Sequence, residues 1–490
     1  MKPWTIAFSI DGASADPLFL RLARAIMDDV RRGRLSPGAP LPGSRTLAGT
    51  LSVHRNTVLA AYRELEAEGW IEASPRRGVF VSNSLPDPKP KGFARSLRSA
   101  KPRAAQMAVE LRPGPESRLW PPDPKGGLVM GGSIPDVSLV PRDLLARAYR
   151  RTLRTQWRAV LSYADPRGHA KLRAALAGML SATRGLTTTS DDLVITRGSQ
   201  MALDLLARAL FRSGDAVAVE SFGYGPGWEV FRQAGAELLP VPVDGSGLSV
   251  DDLEKLLRRR SIRAIYVTPH HQHPTTVVMT AGRRLRLLEL ARQHRFMIIE
   301  DDYHHEFHYD GRPVLPLASA DENGTVAYIG SLSKVLAPGL RLGYLAAPKP
   351  LLERVTTHRM YSDRQGDQAV EGAVAELFED GEIQRHVRRA RRIYQTRRDL
   401  LAQLLRRHLG GAVSFTPPAG GMAIWARVAD DIDVEAWPER AAARGVIFLT
   451  AKSFAFDGKS RPYVRLGFAA LTETQIREAV KAMSLSIPLT

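Results

Sequence analysis

One stretch, residues 331–343, restricts the chemistry of this chain more than any other. It reads SLSKVLAPGLRLG, so Lys334 follows two serines, Ser331 and Ser333, and Arg341 comes seven positions later. A lysine amine can form a Schiff base with an aldehyde, and serines with an arginine suit a phosphate dianion. A surface lysine in a Ser, Gly and Pro loop is the simpler interpretation. A carbonyl-reactive amine beside a phosphate clamp is, however, what pyridoxal phosphate requires.

The composition predicts a globular protein of more than one domain. The 490 residues are too many for a single core, and 44% hydrophobic with 24% charged residues is ordinary for globular chains. The absence of cysteine excludes disulfides, cysteine-ligated metals and a thiol nucleophile. It is also compatible with a reducing compartment.

The net charge of +18 makes nucleic acid the first partner to consider. A generally arginine-rich proteome is the alternative explanation. No apolar run reaches membrane-spanning length, and residues 1–10 do not have the pattern of a signal peptide. We therefore expect a cytoplasmic protein that is associated with the nucleoid when it is bound to DNA, with no membrane partner.

The first eighty residues predict a winged helix-turn-helix. Apolar residues recur every four positions over 18–30, which indicates an amphipathic helix. Two further helices are predicted at 45–51 and 55–68, and two short strands at 70–71 and 79–81. In this arrangement the second helix of the pair enters the major groove. A basic helical bundle used for dimerisation is the alternative.

The expected DNA contacts lie at the start of that helix and at the wing tip. Arginine can read guanine and asparagine can read adenine, while other groups hold phosphates. The wing arginines suit the minor groove or the backbone. The DNA-binding residues predicted from this arrangement are His54, Arg55, Asn56, Thr57, Arg76 and Arg77.

Residues 15–82 resemble the GntR-type DNA-binding domain. The resemblance is carried by the order and spacing of LPGSRTLA at 41–48 and VHRNTV at 53–58, followed by Gly69 and Gly78. The resemblance implies a further DNA contact at Arg45. His54 stands where that family usually has serine, which is a good helix N-cap.

Between the two folded regions the sequence predicts a tether. It is rich in proline and in basic residues and has no periodic pattern. It could contact DNA phosphates or be merely solvated. We predict a DNA-binding domain at 12–83, a linker at 84–123 and an effector domain at 124–490.

The large domain is predicted to be an α/β fold with a mostly parallel sheet, which binds ligands at the carboxyl ends of its strands. The predicted strands are 193–196, 216–220, 237–242, 262–268, 296–299 and 325–329. The first strand is followed by a glycine turn and a helix start, which favours a phosphate at Ser199 and Gln200, although a plain turn has the same pattern. Tyr224 could stack on a pyridine ring or be a packing aromatic.

Two other places suggest polar contacts to such a ligand. The strand at 296–299 leads directly into Glu300-Asp301-Asp302-Tyr303. Asp301 would keep a pyridine nitrogen protonated and Tyr303 would bond the ring hydroxyl, the alternative being an acidic strand-end cap. Near the C-terminus, Arg465 in the predicted strand 463–468 could bind a carboxylate, although an exposed strand arginine is the plainer interpretation.

Residues 130–480 resemble a fold-type I aminotransferase, and the two domains in this order resemble the MocR/GabR family of bacterial regulators. The motifs fall at 163–168, 198–200, 268–275, 300–303 and 331–343. The resemblance implies a pyridoxal phosphate Schiff base on Lys334, a head-to-tail homodimer with exchanged domains, and an effector carboxylate on Arg465. It also implies these cofactor contacts: Ser199, Gln200, Tyr224, His273, Asp301, Tyr303, Ser331, Ser333, Lys334 and Arg341.

Two functions follow from this resemblance. The first is a transcription regulator that senses an amino compound, or pyridoxal phosphate itself, by aldimine chemistry at Lys334. The second is a working aminotransferase with an accessory DNA-binding domain. Five histidines also lie at predicted strand ends, at positions 270, 271, 273, 304 and 305. They could converge on a metal, but we interpret them as polar lining of the cofactor pocket and assign no metal site.

Overall fold

The computed structural model describes residues 16–74, 77–86, 109 and 127–487. The chain divides into two compact units, Met1–Arg112 and Pro113–Thr490. Most of the predicted linker, and the start of the first predicted domain, lie outside the described residues, so those boundaries stay predictions.

The first unit has the order of elements of a winged helix. Its elements are α1 (Leu18–Arg31), β1 (Pro40–Leu41), α2 (Ser44–Leu51), α3 (Arg55–Ala67), β2 (Ile71–Ser74) and β3 (Gly78–Val81). The strands form an antiparallel sheet in the order β1-β3-β2. The apolar stripe of α1 packs with Val58 and Leu65 of α3 in one buried core, because the four-residue spacing places these side chains on one face.

The second unit contains a large central sheet with helices around it. Its strands are β4 (Leu128–Val129), β5 (Leu193–Thr196), β6 (Ala216–Glu220), β7 (Glu237–Val241), β8 (Val243–Asp244), β9 (Gly247–Leu248), β10 (Ala264–Val267), β11 (Met297–Asp302), β12 (Val326–Ser331), β13 (Gly343–Ala346), β14 (Val413–Ser414), β15 (Ala423–Val428), β16 (Val446–Ile447), β17 (Leu449–Thr450) and β18 (Tyr463–Gly467). Its helices are α4 (Arg142–Val160), α5 (Ala170–Arg184), α6 (Ser199–Leu210), α7 (Gly225–Gln233), α8 (Val250–Leu257), α9 (Ala281–His294), α10 (Leu332–Val335), α11 (Lys349–Ser362), α12 (Gln368–Glu379), α13 (Glu382–Leu409), α14 (Ala436–Ala442) and α15 (Glu473–Ser484).

The central sheet runs in the order β5-β13-β12-β11-β10-β6-β7. The pairings from β12 to β7 are parallel, and β13 is antiparallel to both of its neighbours. The predicted mostly parallel α/β sheet is therefore confirmed. The carboxyl ends of β5, β6, β10, β11 and β12 meet at one edge, because parallel strands end on the same side.

A smaller antiparallel sheet, in the order β14-β15-β18-β17, completes the second unit. Its core includes Tyr394 and Leu401 of α13 and the fully buried Trp437. No helix in the described ranges is long and apolar enough to cross a membrane.

Five of the six predicted strands agree with the structure to within two residues, and the sixth is longer than predicted. β11 continues through Asp302, so the carboxylates lie inside the strand and not after it. The ladder with β12 extends to the pair Asp302 and Gly330. The strand can continue because both aspartates accept hydrogen bonds from buried tyrosines, Tyr266 and Tyr328.

One contact between glycines joins the beginning of α6 to β13. A Cβ atom on Gly343 would lie 2.8 Å from the carbonyl carbon of Gly198 and 3.1 Å from the nitrogen of Ser199. We expect Gly343→Ala to destabilise the second unit by about 1–3 kcal/mol, because backbone atoms cannot move aside as a flexible side chain can. The measurement is the midpoint of urea unfolding of the full chain.

The matched control is Gly339→Ala in the same segment, where a Cβ atom would meet nothing within 4 Å. An unchanged midpoint for Gly343→Ala would show that the contact between Gly343 and Gly198 does not limit the size of the side chain at position 343.

Candidate functional site

The corner between β5, α6 and β13 brings together groups that suit an anion. α6 begins at Ser199, directly after Gly198 with its positive φ of 80°. The Arg341 guanidinium lies against Gly198, where a Cβ atom would be 3.3 Å from Nη2, and donates to the carbonyl oxygen of Arg197 at 2.7 Å. A helix start with free backbone N–H groups beside an arginine fork attracts a phosphate.

Two serines come to the same corner from β12 and α10. Ser331 pairs with Gly343 across the β12–β13 ladder, and Gly343 touches the start of α6. The Ser331 hydroxyl caps α10 by accepting from the backbone N–H of Ser333 at 3.3 Å. The buried Oε1 atom of Gln200 has no hydrogen-bond partner. The fold thus brings together the predicted phosphate ligands, whose role stays a prediction.

Lys334 lies on α10, with its side chain in the interior of the site. Burial and the nearby Arg465 together lower the pKa of its amine to about 8, although Asp301 opposes the shift. An amine with this pKa has a substantial neutral fraction near physiological pH, which a nucleophile requires.

Asp301 is a buried carboxylate with one oxygen unused. Its Oδ2 atom accepts a hydrogen bond from the Tyr266 hydroxyl at 2.9 Å, whereas Oδ1 has no partner. Burial raises the pKa of Asp301 to about 7, and Asp302 adds to that rise, while Tyr266 and Lys334 counteract it. A cationic N–H group placed at Oδ1 would complete this carboxylate.

Three aromatic side chains line the space near these groups. The His273 ring lies 6.0 Å from the Tyr224 ring and 5.9 Å from the Tyr303 ring, edge to face in both cases. The peptide bond between His273 and Pro274 is cis. Burial holds the pKa of His273 well below its usual value, which favours a neutral ring. The Tyr303 hydroxyl donates to the carbonyl oxygen of His271 at 2.8 Å, so its lone pairs remain available to a donor.

Sequence reasoning missed a buried network beside these aromatics. Glu220, the last residue of β6, accepts hydrogen bonds through Oε2 from the Thr268 hydroxyl at 2.7 Å and from Gln272 at 3.2 Å. Burial raises the pKa of Glu220 to about 7, although these hydrogen bonds lower it. The strand-end position that selected Asp301 could have selected Glu220 as well.

Arg465 lies within β18 and is fully buried, so the interpretation as an exposed strand arginine is wrong. Its Nη2 atom donates to the Ser133 hydroxyl at 2.5 Å, whereas Nε and Nη1 have no partner. In the part of the chain that the structure describes, no carboxylate forms an ion pair with it. A buried guanidinium with two nitrogens that lack a partner is suited to bind a carboxylate.

The five histidines noted in the sequence separate into two groups. His273 and His304 lie against Tyr303, with the His304 ring 4.1 Å from the Tyr303 ring. The rings of His270 and His305 are 4.6 Å apart, and His270 and His271 are also 4.6 Å apart. His308, which no pattern in the sequence indicates, joins this second group.

In the first unit, the predicted DNA-contacting residues lie at the start of α2, at the start of α3 and in the turn between β2 and β3. His54 caps α3, since its Nδ1 atom accepts from the backbone N–H of Asn56 at 3.2 Å. Histidine therefore takes the capping role that serine usually has. Arg45, Arg55 and Asn56 are exposed, as is Arg77 on the wing, while Thr57 is half-buried. Arg76 lies outside the described residues.

Comparison with known proteins agrees with this two-unit architecture. Residues 18–81 match the bacterial regulatory proteins of the gntR family, and residues 139–483 match aminotransferase class I and II. The probable rhizopine catabolism regulatory protein MocR of Rhizobium meliloti is 30% identical over 469 residues, which cover 95% of this chain and 93% of the relative. The chain belongs to the MocR family of transcription regulators.

The large unit of this MocR-type chain is also similar to enzymes. Aromatic-amino-acid aminotransferase 1 of Thermococcus litoralis is 31% identical over 73% of this chain and 87% of the enzyme. The structure of LysN, the alpha-aminoadipate aminotransferase of Thermus thermophilus, in complex with N-(5'-phosphopyridoxyl)-L-leucine, has a TM-score of 0.69 and 30% identity. It covers 74% of this chain and 92% of LysN. Pyridoxal phosphate is the cofactor of this family, in agreement with the prediction.

The residues of the site fit pyridoxal phosphate on three observations. Asp301 has a buried oxygen without a partner, Lys334 has a lowered pKa, and Arg341 lies beside the start of α6. These groups match the pyridine nitrogen, the aldehyde and the phosphate of the cofactor in turn.

We expect the covalent capture of pyridoxal phosphate by Lys334 to depend on pH with a midpoint near 8. Below that pH the amine is protonated, so the rate should fall about tenfold per unit, and above it the rate should level off. The measurement is the yield of pyridoxylated Lys334 peptide after short incubations that are stopped with borohydride.

Arg465→Gln is the companion variant, because removing the neighbouring cation should move the midpoint to higher pH. A wild-type rate that keeps rising towards the pKa of an exposed lysine, about 10.4, would contradict the lowered pKa.

Proposed function

We propose that this chain is a DNA-binding transcription regulator whose second unit holds pyridoxal phosphate and senses an amino compound that carries a carboxylate. The observation that carries the proposal is Arg465, fully buried close to Lys334, with two of its nitrogens lacking a partner. Leaving a charged donor buried without a partner is costly, so an anionic ligand gains more here than at an exposed arginine.

Each residue of the site has a distinct task in this proposal. Ser199, Ser331 and Arg341 bind the phosphate, and Gln200 and Ser333 support that corner. Asp301 holds a proton on the pyridine nitrogen through its free Oδ1 atom. When bound, the cofactor supplies a carbonyl carbon that reacts with amines and a ring that withdraws electrons.

The neighbouring aromatics complete the pocket. Tyr224 covers one face of the ring. Tyr303 and His273 lie on the side of the ring oxygen. The neutral state of His273 means that it can offer either a donor or an acceptor nitrogen.

Lys334 would hold the cofactor through its amine, and the carbonyl carbon held there would also react with the amino group of the effector, which would free the lysine side chain. The released amine and the carboxylate held by Arg465 change the charges inside the pocket. A ligand shifts a conformational equilibrium only by its differential affinity for the two states. We infer that the state in which Lys334 is bonded to the cofactor and the state in which it is released favour different arrangements of a head-to-tail homodimer. These arrangements differ in the operator spacing that the paired winged helices span.

The first unit reads the operator in the cytoplasm, on the nucleoid. Arg55 and Asn56 at the start of α3 contact base edges in the major groove, while Arg45 and Thr57 contact phosphates. The capping bond of His54 fixes the start of α3 and leaves the Nε2 side of the ring for a phosphate. Arg76 and Arg77 follow the backbone or the minor groove.

The alternative function is an active aminotransferase with an accessory DNA-binding domain. It is favoured by the lowered pKa of Lys334, because a neutral amine next to the reacting carbon can also move protons during turnover. Amino-group transfer between an amino acid and a 2-oxo acid at an ordinary enzymatic rate would support it.

The effector proposal predicts a selective loss on Arg465→Gln. Amino acids should bind about 10–100-fold more weakly, because a charge-assisted contact is lost, while the matching amines without a carboxylate should bind as before. Both classes can be titrated against the absorption band of the cofactor. The exposed Arg427→Gln, in the neighbouring strand β15, is the control. An equal loss for amines and amino acids would remove the carboxylate contact from the proposal.

The DNA proposal predicts that Arg55→Ala relaxes specificity at one base position, by about 1–3 kcal/mol. Preferred sites are first selected from random duplexes with the full chain, and binding of single-base variants is then measured at fixed salt. Arg63→Ala, exposed two turns further along α3, should keep the discrimination. If Arg63→Ala loses discrimination and Arg55→Ala keeps it, α3 is not oriented with its N-terminus on the bases.

A further inference from the structure

A cluster of imidazoles lies behind the cofactor pocket, and the proposed function does not use it. His270 and His271 follow β10, whereas His305 and His308 lie in the segment after β11. His270 is central, since its ring centroid lies 4.6 Å from those of His271 and His305 and 5.9 Å from that of His308. The rings of His271 and His308 are stacked at 5.8 Å.

The nitrogens of this cluster have almost no partners within the protein. Both ring nitrogens of His270 and of His271 lack a hydrogen-bond partner, and these two side chains are 2% and 1% exposed. Buried polar atoms are normally paired, so a group of four unpaired nitrogens in one place requires an explanation. A neutral imidazole offers one lone pair, and several lone pairs that converge are what a metal ion takes.

We propose that His270, His271 and His308 bind one divalent transition-metal ion, of the class of Zn²⁺. One nitrogen from each residue lies within 4.8 Å of the others. Ligands in a tetrahedral zinc site at about 2.0–2.1 Å from the metal are roughly 3.3 Å apart, so the rings need to close by about 1.5 Å or less. That movement is within the reach of a small side-chain rotation.

A second triad, His270 with Asp302 and His305, also has ligand atoms within 4.8 Å. Its members are already engaged in part. Asp302 Oδ2 accepts from the Tyr328 hydroxyl at 2.7 Å and lies 3.0 Å from His305 Nδ1, although that contact lacks hydrogen-bond geometry. We therefore assign Asp302 and His305 to the surroundings of the metal. There the carboxylate offsets the ion's charge and stabilises the ligand set.

The fold supports this assignment in two ways. The His271 ring is tightly enclosed, since a Cβ atom on Gly420 would lie 2.4 Å from its Cε1 atom, so its direction is set by backbone packing. His308 is half-buried, so of the three proposed ligands it lies nearest the surface. The chain has no cysteine, and a set of imidazoles selects zinc, cobalt, nickel or copper over calcium and magnesium.

A metal in this place would tie two segments of the effector pocket together. His271 accepts the hydrogen bond of the Tyr303 hydroxyl through its carbonyl oxygen, and His305 and His308 follow Tyr303 in the chain. Three protein ligands leave a fourth position for water or for a donor atom of a small molecule. The site is thus both a structural clamp and a candidate point of control next to the cofactor.

The test uses the full chain, purified without a polyhistidine tag, with its cofactor as isolated, stripped with a chelator and then dialysed against Zn²⁺ or Co²⁺. We expect about one ion per chain by elemental analysis, and a tetrahedral Co²⁺ spectrum at longer wavelength than the cofactor band. His308→Gln should lower the affinity at least tenfold, because a ligand is lost at a half-buried position where folding is little affected. The exposed His408→Gln should bind as the wild type does.

Three results would overturn the assignment. If the wild type retains no ion, the histidines only fill the interior as uncharged polar side chains. Loss on His305→Gln with no loss on His308→Gln would move the ion to the second triad. Equal loss on His408→Gln and His308→Gln would mean surface binding only. Pyridoxal phosphate content, measured in the same samples, separates failure here from failure of the proposed function.

Discussion

The second unit depends on charges that the fold withdraws from water at one edge of its central sheet. Lys334 and Arg465 are two cations in mutual range, and Asp301 is the nearby anion that opposes the shift of Lys334. Burial and repulsion by Arg465 lower the pKa of Lys334, burial lowers the pKa of Arg465, and burial raises the pKa of Asp301. Such a site stays electrostatically incomplete until a ligand supplies negative charge to Arg465 and positive charge to Asp301.

The same edge is organised by backbone contact as much as by charge. Gly198 and Gly343 allow β13 to lie against the first turn of α6, and this contact brings Ser331 to the corner where Arg341 reaches across. An anion at that corner meets donors that are already oriented, so little conformational entropy is lost on binding. The phosphate corner and the charged pocket are therefore joined by one strand ladder, and a ligand that spans both is favoured over one that fills either alone.

The sequence was sufficient where a local pattern carries the structure. Runs of apolar residues identified the strands, and the polar residues after them identified the ligand edge, because parallel strands expose their carboxyl ends together. The sequence was insufficient where the position of a residue depends on a partner that is distant in the chain. Asp302 stays in β11 because Tyr328 satisfies it from the next strand, and Glu220 and His308 join their networks only through the tertiary fold. His54 caps α3 with a ring nitrogen, which no propensity rank for histidine indicates.

Regulation and turnover need the same ligand contacts but place different demands on them. An enzyme must bind its transition state more tightly than its substrate, whereas a regulator needs only a difference in affinity between two protein arrangements. The unpaired donors of Arg465 serve either purpose, since they bind a carboxylate in the ground state. The GntR-type unit has no use in turnover, yet it is present with a capped reading helix and exposed basic residues. In a chain that retains both units, ligand binding is useful by itself. It is useful only if the ligand-bound state persists long enough to affect DNA binding.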